Sequence, residues 1–140
     1  MAIDQEIALL QQSPVFQGVE PAKLRLIAVS ADRVSIPAGA TIYAAGESSN
    51  EVLFILSGEA ETDDGYPLPH IIGVIGTLLR RPRARTIRAR TAIEALRVDR
   101  DSFLALTQHC SAISLAIMTD LARLADTLLT MTPAHATEPA

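Results

Sequence analysis

The 140-residue chain has a single cysteine, Cys110, and so can form no internal disulfide and no Cys-x-x-Cys metal site. It has no apolar run near the ~18–20 residues a bilayer span requires. Its start, MAIDQEIALLQQ, carries acids where a secretory leader would carry bases. These absences point to a cytoplasmic protein. The three histidines, His70, His109 and His135, are scattered and lack the His-x-His pair of a metal-binding barrel. No Ser-His-Asp or Cys-His arrangement is visible, and no glycine-rich phosphate loop. The sequence therefore points away from catalysis and away from any cofactor. The formal net charge of −4 argues against nucleic acid as the main partner. No internal repeat or linker divides the chain.

What is present is an ordinary globular composition, 49% hydrophobic and 20% charged. Ile3, Ile7 and Leu10 fall at helical spacing, with Asp4 near the positive end of the helix dipole. Pro14, Gly18 and Pro21 break that pattern, and Pro21 suits the first position of a second helix with Leu24, Ile27 and Ala28 on one face. From Arg33 the text changes to short β-rich runs punctuated by Gly, Pro, Asn and Asp. That is the pattern of a small antiparallel barrel or jelly roll. Val52 to Leu56 is continuously apolar, as for a strand buried on both faces. Asp63-Asp64-Gly65 is a hairpin signal. Two further strands are predicted in TIRART and AIEALRV, then a short helix over about 101–107 and a longer one over about 111–130.

The expected fold is thus α+β: an eight-stranded antiparallel β-roll at 33–99, between N-terminal helices at 3–31 and C-terminal helices at 101–131. The expectation is one domain over 1–131 with a flexible tail at 132–140.

One stretch concentrates charge. GVIGTLLRRPRARTIRAR, residues 73–90, holds six of the twelve Lys and Arg residues. A turn of helix over roughly Ile75 to Leu79 would aim backbone N–H groups at an anion. Arg83 could add a bidentate contact to two oxygens, and the small Ala84 would let the backbone approach. The residues alone leave a second reading open, a solvated hairpin arginine. Arg85 shares the parity of Arg83, so an extended backbone would point both to one face; it could meet a more anionic ligand, fill the pocket or bond to protein. Arg80, Arg81, Arg88 and Arg90 read as solvent-facing charges, and Glu47 as a turn residue.

The same residues resemble the phosphate-binding cassette of the cyclic nucleotide-binding domain family, as in catabolite activator protein and the regulatory subunits of protein kinase A. The family pattern is Phe-Gly-Glu-x-Ala-Leu, then Pro-Arg-x-Ala-Thr. Here it reads Ile72-Gly73-Val74-Ile75-Gly76-Thr77, then Pro82-Arg83-Ala84-Arg85-Thr86. SPVFQGVEPAKLRLIA, the strand region with Gly39, Gly46, Glu47 and Gly58 at its turns, and RVDRDSFLAL agree with the family in order. The resemblance covers about residues 9 to 130. It implies a non-catalytic regulatory domain with cAMP or cGMP as ligand, held through Gly73, Val74, Ile75, Gly76, Thr77, Pro82, Arg83, Ala84, Arg85 and Thr86.

The departures are specific. The family glutamate that bonds the ribose 2′-hydroxyl is Val74 here, the usual alanine is Gly76, and Arg85 stands where a small residue is usual. The hairpin before the cassette is several residues shorter. A lost hydrogen bond to a charged group is worth roughly 1.5–3 kcal/mol, tenfold to a hundredfold in affinity. The resemblance therefore implies an intact phosphate half and a weakened ribose half. The alternative is a degenerate domain that binds no nucleotide and serves interaction or dimerisation.

Ile117, Leu121, Leu124, Leu128 and Met131 step by 4, 3, 4 and 3, a heptad stripe. It implies a homodimer through helix 111–130, or packing of that stripe on the protein's own barrel. No helix-turn-helix follows, so the resemblance brings no DNA-binding domain with it.

Overall fold

The structure is a computed structural model that describes residues 2–13 and 16–130. Pro14, Met131 and the tail 132–140 lie outside the described residues. The elements run α1 (Ala2–Gln12), α2 (Pro21–Ser30), β1 (Asp32–Ile36), β2 (Thr41–Tyr43), β3 (Glu51–Ser57), β4 (Ala60–Thr62), β5 (Ile71–Ile72), α3 (Val74–Leu79), β6 (Ile87–Ala89), β7 (Ile93–Asp99), α4 (Arg100–His109) and α5 (Ser111–Thr130). No helix among the described residues is long and apolar enough to cross a membrane.

The strands form two antiparallel sheets, one ordered β1-β7-β3-β5 and the other β2-β6-β4. The α+β class holds. Seven strands are present among the described residues, with an isolated bridge between Glu61 and Pro67 in place of a longer pairing after the 63–65 turn. Pro67 and Pro69 have no N–H to give a ladder, which keeps that return segment irregular.

The apolar run in β3 explains how the layers stack. Val52 and Phe54 face the helices, where they join Leu10, Phe16, Leu24, Ile27, Phe103, Leu106 and Ile113 in one core. Leu53 and Ile55, on the opposite face, meet Tyr43, Ala60, Ile72, Ala89, Ile93 and Ala95 between the sheets. Phe16 meets Phe54 edge-on at 5.3 Å between ring centroids. Each such ring removes enough surface from water to contribute about 1.5–3 kcal/mol.

Local signals place the helix ends. Pro21 opens α2 as the sequence implied, and the Asp99 side chain accepts from the Ser102 N–H at 2.8 Å to start α4. Helix α4 runs further than expected at both ends. Gly58 allows the turn after β3 to press on the chain at Ala92 and Ile93: with φ at +92°, an added Cβ would sit 2.9 Å from the Ile93 Cα.

Candidate functional site

The site is built where α3, β3 and the segment 80–86 meet. Gly73, at φ +91°, caps the start of α3 in a backbone conformation that a residue with a side chain rarely adopts. The chain leaves α3 through Arg80, also left-handed at φ 55°, and turns back beneath the helix. The loop before β3 grips the returning segment. The Arg83 N–H donates to the Glu47 carbonyl at 2.7 Å, and the Gly46 N–H donates to the Arg83 carbonyl at 2.8 Å. Glu47 holds its own turn by accepting from the Ala44 N–H at 2.6 Å.

Held in this way, the Arg83 side chain runs inward and is only 6% exposed. Nη1 donates to the Gly73 carbonyl at 3.1 Å and Nη2 to the Glu51 carbonyl at 2.8 Å. The guanidinium carbon lies 3.8 Å from the centre of the Tyr43 ring, a cation–π contact. Nε is buried with no partner. Of the five N–H donors on a guanidinium, the two protein bonds use a minority. The Tyr43 hydroxyl donates to Glu51 Oε2 at 3.2 Å. Burial first, and the Glu51 carboxylate second, push the Tyr43 phenol well above its ordinary range, so Tyr43 stays neutral beneath the cation.

A cavity of about 480 Å³ opens beside this arginine. Of the residues read from the sequence, Gly73, Val74, Ile75, Gly76, Pro82, Arg83, Ala84 and Arg85 line it. Thr77 and Thr86 do not. Thr77 is fully buried, with its hydroxyl donating to the Glu51 carbonyl at 2.8 Å. The Thr86 hydroxyl accepts from the Ala45 N–H at 3.1 Å. Both tie the site to its scaffold.

The shared parity of Arg83 and Arg85 does not give a shared environment. Residues 84 and 85 are a bend, not a strand, so the alternation that orients strand side chains does not apply. Arg85 is exposed and pairs with Asp64 at 2.6 Å and Asp63 at 3.6 Å. The Thr62 hydroxyl, and then Arg85, hold the Asp64 carboxyl below its usual pKa of 3.8. Because the folded value is depressed, this pair is intact above the ordinary carboxylate range and opens only as pH falls below it. Asp64→Asn is expected to leave Arg85 only its 3.6 Å contact with Asp63, and so to tighten any anion that the rim takes by roughly twofold to fivefold, the scale of a screened surface pair. Titrating cAMP at low and high salt checks this; an effect that persists at high salt would count against the electrostatic cause.

The sequence gives no sign of Tyr43 or Glu51 at the site, and offers the far wall only as one of two readings of the helical stripe, packing on the protein's own barrel. That wall comes from α5, through Ile117, Asp120, Leu121 and Leu124. The first half of the heptad stripe thus covers the protein's own cavity, and Leu128 is 61% exposed.

The family pattern of the cyclic nucleotide-binding domain matches residues 33–110. The chain belongs to that family. It is 29% identical over 104 residues to a cAMP-dependent protein kinase regulatory subunit of Aspergillus niger, covering 69% of this chain and 25% of the relative. Among solved structures, a cAMP-binding acyltransferase from Mycobacterium smegmatis superposes with a TM-score of 0.72 at 23% identity, covering 89% of this chain and 42% of that one. Catabolite Activator Protein of Thermus thermophilus does so with a TM-score of 0.66 at 23% identity, over 84% of this chain and 61% of that one. These structural likenesses show the fold. The chain spans about a quarter of the curated relative's length.

Proposed function

We propose that the chain is a non-catalytic regulatory module, one domain over residues 1–131, that senses a phosphate-bearing small ligand through Arg83. The family's ligands, cAMP and cGMP, are the first candidates. The observation that carries this reading is the buried guanidinium on the cavity wall, whose Nε lacks an acceptor. A buried donor left unpaired costs about 1–3 kcal/mol, which an anion oxygen would recover after a small shift of the side chain. In this reading the anion meets Arg83 and the backbone around α3 and Ala84, in the cytoplasm, and the message leaves through α5. Leu115, Met118, Leu124, Leu128 and Leu129 are each 44% or more exposed on that helix, which supports a homodimer formed through it.

A second reading is favoured by different observations. Arg83 already donates to two protein carbonyls, Arg85 is neutralised by Asp63 and Asp64, and Val74 removes the ribose acceptor. On this reading the chain is a scaffold or dimerisation unit that binds no nucleotide.

Thermal denaturation with cAMP, cGMP and cyclic dinucleotides separates the two. A ligand at a hundredfold excess over its Kd stabilises by about 2.7 kcal/mol, a shift of several degrees. The sensing reading expects a saturable rise with at least one anion. No rise at millimolar concentration with any of them leaves the scaffold reading standing.

A further inference from the structure

We infer that the ligand of the Arg83 cavity is an amphipathic anion: a phosphate or carboxylate head on an aliphatic body. The inference rests on the anion-binding reading of Arg83 and names the class of ligand that the same site takes.

Charge and hydropathy are separated on the cavity wall. Arg81, Arg83 and Arg85 all come from one short segment and line the cavity together. The one carboxylate on the wall, Asp120, comes from α5 and lies 3.5 Å from Arg123. Apart from Asp120 and Thr62, the side chains lining the wall away from that segment are apolar, including Leu68, Ile71, Val74, Ile75 and Leu121. Among the described residues, Thr62 is the only uncharged polar side chain on the wall. No aromatic ring lines the cavity among the described residues, so a base has no π-face to stack on. Sugar hydroxyls would likewise find few acceptors. An alkyl or alicyclic body would instead replace water against matching walls, at no cost in unpaired polar groups.

The aliphatic wall also reaches the surface. Ile75 and Leu124 both line the cavity and are 48% and 44% exposed. At about 480 Å³ the space is within the ~300–1,000 Å³ usual for small-molecule sites.

The test is a calorimetric titration of the whole chain with ethyl, butyl, hexyl and octyl phosphate, with octanoate, octan-1-ol, cAMP and cGMP alongside. Each methylene buried is expected to tighten binding about fourfold. Octyl phosphate, octanoate or both bind more tightly than cAMP, and these two arms tell which head the site takes. Octan-1-ol, lacking the anion, does not bind. Leu121→Ser, on the partly buried face of α5, flattens the chain-length series. A series already flat in the unaltered protein, equal binding of octan-1-ol, or a slope untouched by Leu121→Ser overturns the inference. If cAMP or cGMP binds more tightly than octyl phosphate and octanoate, the inference falls and the anion reading of Arg83 stands. If no anion binds, both fall.

Discussion

Arg83→Ala is expected to lower the melting temperature by about 10 °C and to remove anion binding altogether. The guanidinium ties the Gly73 and Glu51 carbonyls to the Tyr43 ring in one contact set. Hydrogen bonds from a charged donor are worth roughly 1.5–3 kcal/mol each and a desolvated cation–π contact about 0.5–2 kcal/mol. Against this stands the desolvation cost that the buried cation no longer incurs, leaving a net loss of about 3 kcal/mol. For a chain of this size that is about 10 °C. Glu51 O keeps its bond from the Thr77 hydroxyl, and Gly73 O keeps the Thr77 N–H at 3.2 Å, so the fold survives. Arg83→Lys retains the charge without the planar fork and is expected to lie between the two. Calorimetric unfolding of the three proteins checks the ordering. A melting temperature within a degree or two across the set would show that the cation does not clamp these elements.

Val74→Glu is expected to move ligand preference most. The family resemblance puts at this position the acceptor for the ribose 2′-hydroxyl. Restoring it should tighten cAMP by about tenfold to a hundredfold. The side chain at 74 is 7% exposed, so an unliganded carboxylate there is buried at a cost of at least ~1–3 kcal/mol. The variant should therefore melt below the parent alone and approach or pass it with cAMP. The same carboxylate, placed in an aliphatic wall near an anionic head, should weaken octyl phosphate. Titrating both ligands on both proteins gives a crossover. Unchanged cAMP affinity would show that position 74 does not face the sugar.

Much of the fold was legible because it depends on side-chain patterning. The β3 run announced a strand buried twice, and Pro21 announced a helix start. The 63–65 turn is legible as a hairpin signal, while how far the pairing runs beyond the Glu61–Pro67 bridge is not. Two prolines decide that pairing, and their effect depends on which neighbour needs an N–H. At the site, the inward course of Arg83 followed from Pro-Arg-Ala and the resemblance. Its partners did not, because two are backbone carbonyls and every residue has one. The environment of Arg85 turned on a local bend at 84–85. Its bond to Asp64 spans 21 positions with no spacing rule to suggest it. The cavity's α5 wall was legible only as one of two alternatives, because one stripe serves equally well as a dimer seam or as an internal lining.

The stacking of Arg83 on Tyr43 has a practical consequence. The chain has no tryptophan and only two tyrosines, and Tyr66 is 67% exposed while Tyr43 is 5% exposed. Iodide in solution would therefore quench Tyr66 emission first and leave a residual signal from the ring beneath the guanidinium. Any ligand that draws Arg83 off that ring should alter the residual emission, so the protein carries its own unlabelled optical reporter of what happens at the cation.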